Sequence, residues 1–427
     1  MASLSPLFIK PWLPKSHNPQ YLFKNATVID PVTGTSVSSQ HVFVQRGIIA
    51  AISSDDTTLP AESSEATIVD VSGKYICPGL IDAHVHISAA PGDSDFSKAM
   101  STPEHVSMLR MTYVCRDILA RGFTTVRDCG GAPYALKQAT EEWLVPGPRL
   151  FISGHALSQT GGHGDFRSCH DHTHCVSGFQ ETRFAGEQTL SRSWAVAGSS
   201  DPTDRLEGKQ FSAEEIRAIV LAASNHGTYV TCHAYAPDSI RVAIENGVKG
   251  IEHGNLIDEP TAKLMAEKGC FLTPTLVTYQ TLADPALPQF LNEDSQAKNK
   301  KVLDMGINTL KIAKNAGLTL CYGSDLLGPL GLYQTREFSI RSEALTNLDI
   351  LQSATINPAK MLGETNTLGQ VKTGFKADLL ILNSNPLDDI TVFERQEQEL
   401  LAVIKDGRVC LSRTPKLSGL LDAWKTF

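Results

Sequence analysis

From residue 79 to residue 325 the chain alternates between two textures. Apolar, strand-like runs occur at 79–87, 123–130, 149–157, 228–235, 250–254, 270–276 and 318–325. Between most of them lie stretches with apolar residues at helical spacing. "TPEHVSMLRMTYVCRDILARG" is one, ending on Gly122. "SAEEIRAIVLAASNHG" is another; it opens on a capping box, Ser212 with Glu215, and stops at Gly227. Parallel strands need long crossovers, usually helices, so this alternation implies a parallel sheet. The fold class is α/β, and the length suits a (β/α)₈ barrel of the TIM type, which takes roughly 250 residues. Seven strands read directly, and "SRSWAVAG" is a candidate for the missing fourth.

Both ends of the chain differ from the middle. "YLFKNATVIDP", "HVFVQRGIIAAIS" and "ATIVDVSGKYICPG" are rich in β-branched and aromatic residues with Gly, Pro and Asp between them. "LGQVKTGFKADLLILNSNP" and "LLAVIKDGRVC" repeat that texture near the other terminus. The expected division is a small β domain from residues 21–78 and 366–412 around a barrel at 79–365.

Composition narrows the function classes. A net charge of −8 argues against a general nucleic-acid binder. Pro6, Lys10, Pro11, Pro14 and Lys15 interrupt the N-terminal segment, so no secretory signal is expected there. No apolar run approaches the ~20 residues of a membrane span. The nine cysteines are scattered with no C-x-x-C pair. Reduced thiols and a cytoplasmic location are the expectation.

Chemistry gathers at the strand ends. "GLIDAHVHIS" places His84 and His86 two residues apart, on one face of a strand. His233 ends "TYVTCHAY", His253 lies in "GIEHG" and Asp325 ends "LTLCYGSD". A barrel brings such strand ends together on its active-site face. One histidine at a strand end is commonly a hydrogen-bonded core residue. Four imidazoles and a carboxylate together suit Zn²⁺ or a similar divalent ion.

These motifs resemble the amidohydrolase superfamily. Within it, "TGGHGD" (Thr160–Asp165), "QFSAEEIRAIV" and "SATINPAKMLG" resemble the branch of Xaa-Pro dipeptidases and ochratoxinase, which is related to imidazolonepropionase. The resemblance runs from about Val28 to Gly407. It implies a metal-bearing barrel with a β-sandwich built from both chain ends. It also implies one or two divalent ions, with His84 and His86 on one and His233 and His253 on the other. Asp325 would contact metal and shuttle the proton from a metal-activated hydroxide to the leaving amine. His163 and Tyr235 would meet substrate. A homo-oligomer is expected.

One element of the pattern is missing. Many members of the branch bridge two metals with a carboxylated lysine at the end of the fourth strand. Here no lysine occurs between Lys137 and Lys209. Arg192 falls near the lysine's place and cannot form a carbamate; Glu187 is the alternative bridge. The segment is short for a crossover helix plus a strand, so the barrel is expected to be defective around strand four. The loop Cys169–Cys175, "CHDHTHC", matches no established zinc spacing and reads as a lid loop.

Three function classes follow. The first is hydrolysis of an amide bond in a dipeptide, an N-acyl amino acid or an ochratoxin-like molecule. The second is cyclic-amide hydrolysis or deamination on the same scaffold. The third is a catalytically impaired homologue lacking the bridging lysine.

Overall fold

The computed structural model describes residues 9–12, 19–92, 102–158, 191–195, 209–287, 293–415 and 417–421, with residues 191–195 and 293–294 as backbone only. Both chain ends meet in one eight-stranded sheet. Its N-terminal strands are β1 (Tyr21–Asp30), β2 (Thr35–Gln45), β3 (Ile48–Ser53), β4 (Thr67–Asp70) and β5 (Tyr75–Pro78). Ordered along the sheet, β1, β2 and β3 follow β5, and β4 pairs with β1.

A second parallel series begins immediately after β5. It comprises β6 (Leu80–Val85), β7 (Phe123–Asp128), β8 (Arg149–Ile152), β9 (Ser191–Ala195), β10 (Tyr229–Ala234), β11 (Gly250–His253), β12 (Phe271–Thr273) and β13 (Thr319–Leu320). The C-terminal strands β14 (Leu379–Leu382), β15 (Leu400–Lys405) and β16 (Arg408–Ser412) return to the first sheet. There β14 runs antiparallel to β5, with Leu379 opposite Pro78 and Leu382 opposite Tyr75. The pairing of the two chain ends is therefore real. Alternate residues of these strands, among them Phe23, Val42, Val44, Ile76, Leu379, Ile381 and Ile404, pack as one buried cluster. The described strands of both chain ends pair into this one eight-stranded sheet.

The central strands form two parallel sheets, β6–β7–β8 and β9 to β13 in sequential order. Helices α1 (Glu104–Ala120), α2 (Tyr134–Glu141), α3 (Ala213–Asn225), α4 (Pro237–Glu245), α5 (Glu259–Glu267), α6 (Leu276–Ala283) and α7 (Glu293–Asn315) lie between them in sequence. The capping box at Ser212 and Glu215 is formed in both directions. Gly122 and Gly227, at φ +96° and +67°, follow α1 and α3 as C-terminal stops. Apolar residues of strands and helices merge in one large core that includes Leu80, Phe123, Val126, Val230, Ile251 and Leu272.

No ladder joins β8 to β9 among the described residues, so the continuous ring expected of a closed barrel is not drawn. The other seam is stitched. Ala83 N donates to Tyr322 O at 2.8 Å, and Asp325 N donates to His84 O at 2.9 Å. Backbone thus binds the two ligand-bearing strand ends directly. "SRSWAVAG" does supply a strand: β9 runs parallel to β10, with Arg192 opposite Val230 and Ala195 opposite His233. Several strands are shorter than their apolar runs; Pro274 cannot donate a ladder bond and follows the last residue of β12. No described helix is long and apolar enough to cross a membrane. Every described cysteine is free and buried.

Candidate metal centre

His84 on β6 and His86, just beyond its end, are aimed by what their Nδ1 atoms meet. His86 Nδ1 lies 3.1 Å from Gly130 O, and a carbonyl can only accept, so Nδ1 carries the proton. His84 Nδ1 lies 2.8 Å from Glu252 Oε2, a buried carboxylate. Nδ1 of each ring is thus engaged, and Nε2 is the atom left to face Asp325. Both Nε2 atoms lie 3.3 Å from the same atom, Asp325 Oδ1. His84 Nε2 is buried without a hydrogen-bond partner. An orphaned acceptor beside a second imidazole and a carboxylate is what a divalent ion requires.

Backbone geometry explains how these groups converge. The Asp82 carboxylate accepts from His84 N at 3.0 Å, Ser324 Oγ at 2.6 Å and Gln334 Nε2 at 2.8 Å. It clamps the end of β6 to the loop after β13. Gly323 permits that approach, because a Cβ there would fall 2.4 Å from Thr273 Cγ2 and 2.9 Å from His84 Cβ. Asp325 then turns into the left-handed region at φ +51°, which Asp tolerates better than most residues. Asp128 does similar work on the other side, accepting from Ile87 N at 2.7 Å and from Gly130 N and Ala132 N at 3.0 Å.

His233 and His253 join from β10 and β11. Their ring centroids lie 5.0 and 5.1 Å from that of His84. His233 Nδ1 is 2.9 Å from His253 Nε2. His253 Nδ1 faces Thr275 Oγ1 at 2.8 Å and Tyr279 Oη at 2.9 Å. Tyr235 stacks flat on the His253 ring at 4.8 Å and accepts a hydrogen bond from Tyr279 Oη. It is 2% exposed and backs the His253 ring.

Beneath the histidines lies a buried ion pair. Arg127 donates to Glu252 Oε1 at 2.6 Å, to Thr231 Oγ1 at 3.0 Å and to Ala83 O at 2.6 Å. Burial alone would raise the Glu252 carboxyl, but Arg127 and His84 hold it down at about 2. Asp325 is likewise held well below the usual carboxylate range, because the His84 charge beside it outweighs its burial. Burial works against a charge on His84, yet Cys129 and Asp325 raise its pKa well above the usual value.

The expected ligands are thus together. The ligand atoms of His84, His86 and Asp325 lie within 4.8 Å of one another, as do those of His84, His233 and His253, and those of His84, Cys129 and Glu252. His163, Glu187 and the loop 169–175 fall outside the described residues. Arg192 is placed only by its backbone, opposite Val230 rather than opposite His233. Lys209 is described and exposed.

Sequence reasoning missed Glu252, Arg127, Thr275 and Tyr279. Glu252 adjoins His253, and strict strand alternation sends neighbours to opposite faces. His253 breaks that alternation at φ +71°, so both side chains reach His84.

Ochratoxinase of Aspergillus niger is 27% identical over 417 residues, spanning 90% of this chain and 85% of that one. The crystal structure of an amidohydrolase superposes with a TM-score of 0.86 at 38% identity, covering 92% of this chain and 99% of the other. A prolidase crystallised with N-methylphosphonate-L-proline gives 0.84 at 36% identity, covering 92% and 100%. Residues 75–410 match the amidohydrolase family, whose members generally use a divalent metal. The chain belongs to the amidohydrolase family and is a hydrolase acting on carbon–nitrogen bonds.

Proposed function

We propose that this chain is a metal-dependent hydrolase of amide bonds in small molecules, with Zn²⁺ as the ion. The observation that carries the reading is the buried, unpartnered His84 Nε2 facing Asp325 beside His86. His84, His86 and Asp325 would hold the ion, and His233 and His253 border the same space. A bound divalent ion supplies Lewis acidity, lowering the pKa of water towards about 7 and polarising the scissile carbonyl.

The chain's own groups do the rest. Asp325 is ionised and close to both imidazoles, so its carboxylate can take the proton of the attacking water and return it to the leaving amine. Glu252 holds His84 in the tautomer that leaves Nε2 free. Tyr279 and Thr275 hold the His253 ring through its Nδ1. His163 and Tyr235 are proposed to meet substrate.

The prolidase and ochratoxinase similarities point to a dipeptide ending in proline, an N-acyl amino acid or an ochratoxin-like amide as substrate. We place the catalytic barrel at residues 79–365 and a β-sandwich at 21–78 and 366–412. We further propose a cytoplasmic homo-oligomer that binds neither nucleic acid nor membrane. The test is a panel of these amides followed by free-amine release. Amine release from at least one class supports the reading. Ammonia release from nucleobases, or ring opening of cyclic amides, without any cleavage of linear amides would sink it.

A further inference from the structure

We propose that Glu337 and Arg341 are positioning residues of the metal centre: Glu337 caps α6 in place of Thr275 and so frees the Thr275 hydroxyl to hold His253. The inference deepens the proposed function and rests on it. Both residues lie on α8 (Glu337–Ser342), and both are fully buried. Thr275 stands at the N-cap of α6, where a threonine oxygen ordinarily accepts from the N–H two or three residues on. Here the Thr275 side chain makes no cap hydrogen bond. Its Oγ1 lies instead 2.8 Å from His253 Nδ1. The second N–H of the helix, on Val277, donates to Glu337 Oε2 at 2.7 Å, from 60 positions away. A carboxylate on another helix has taken over the cap. The place suits it, because the N–H groups at a helix start carry partial positive charge.

Arg341 holds that carboxylate and the loop it serves. Arg341 Nε donates to Glu337 Oε1 at 2.7 Å. Its Nη2 donates to Pro274 O at 2.8 Å, pinning the residue before Thr275, and to Cys321 O at 3.0 Å. Its Nη1 donates to Ser353 Oγ at 3.1 Å. One guanidinium thus joins the loop that reaches His253 to the segment that leads to Asp325.

A buried ion pair could serve stability alone. Such pairs are poor stabilisers, since desolvation offsets their attraction, and apolar replacements of similar volume are often neutral. Burial pushes the Glu337 carboxyl up to about 7, even against Arg341 and the Val277 N–H. What the pair gives the site is geometry. Without Glu337, the buried Val277 N–H needs another acceptor. The Thr275 hydroxyl is the one that helix-capping geometry supplies. Turned to that duty, it leaves His253. The ligand atom of His253 lies within 4.8 Å of those of His84 and His233, so its ring orientation bears on the metal site.

The Zn²⁺ affinity of the full-length protein, read by competition with a chromophoric chelator, tests this. Glu337→Leu/Arg341→Met removes both charges together, a change a purely structural pair should tolerate. It should bind Zn²⁺ roughly 10- to 100-fold more weakly, the effect of losing an outer partner of a metal-site histidine. Thr275→Val should lose a similar factor, and adding it to the double variant should cost no more, as for residues acting through one contact. Glu337→Gln keeps a carbonyl oxygen for Val277 N and should bind nearly as the natural chain does. Circular dichroism checks the fold of each variant; should the double variant not fold, natural affinity in a folded Thr275→Val would by itself overturn the inference. Natural affinity in a folded double variant would overturn it too, as would losses that add in the triple variant. Amides left uncut by a chain showing the expected affinity pattern would sink the proposed function and uphold the positioning role. A natural chain that takes up no Zn²⁺ would overturn both.

Discussion

Glu252 Oε2 lies 2.8 Å from His84 Nδ1, and neither side chain reaches solvent. This contact decides which nitrogen of His84 faces Asp325. It also explains why Arg127 is buried in the same layer, 2.6 Å from the other oxygen of Glu252. The three groups form a chain from the interior to the site.

Replacing Glu252 by Gln should therefore act on the metal site without touching a ligand. The expected effect is a 10- to 100-fold loss of metal affinity. Replacing Arg127 by Met leaves the buried Glu252 without its guanidinium partner, which should cost about 3–5 kcal/mol of stability. Competition with a chromophoric chelator reads the first effect, and chemical denaturation reads the second. Unchanged metal affinity in Glu252→Gln would show that the contact does not aim His84.

The same pair sets a pH dependence. Glu252 titrates at about 2 in the folded chain, against an ordinary value of 4.5. The folded value is the lower one, so the unfolded chain binds more protons in that window. The contribution of Glu252 is then fully present above about pH 4.5 and is lost as pH falls towards 2. Denaturation midpoints between pH 3 and 7 should fall on the acid side and stay flat, as far as this group is concerned, above pH 5. Glu252→Gln should show a shallower acid slope; an unchanged slope would assign the acid sensitivity elsewhere.

Asp325→Asn isolates the proton-transfer role. Asn accepts the left-handed backbone at φ +51° nearly as readily as Asp, so the fold should survive. The side chain loses its basic oxygen. Turnover should drop by roughly 10² to 10⁴, the usual worth of a general acid–base group, and by more if the ion is lost as well. Amine release alongside circular dichroism makes the comparison. Turnover at the natural level would exclude Asp325 from the chemistry.

Much of the site was legible in the sequence because strand alternation and barrel topology act locally. His84 lies on β6 and His86 one residue beyond its end, and both turn towards Asp325. The capping box at Ser212 and the stop at Gly122 depend on a few neighbouring residues and are formed as read. The supporting layer was not legible. Glu252 contacts a residue 168 positions away, and Tyr279 sits 26 positions beyond the histidine it faces. Tyr279 lies within the apolar run of α6, where a core tyrosine is the ordinary expectation. The left-handed turn at His253, which breaks strand periodicity, leaves no mark in composition. The absent lysine, by contrast, is a fact of sequence alone, and Ala195 opposite His233 gives it a structural place.

The central claim is metal-dependent amide hydrolysis at His84, His86 and Asp325. Its most direct test is amine release from the amide panel by the natural chain before chelation, after complete removal of metal, and after Zn²⁺ is restored. Cleavage is expected from the loaded protein, none from the stripped protein, and recovery on reconstitution. Cleavage that continues unchanged in the metal-free protein would contradict it.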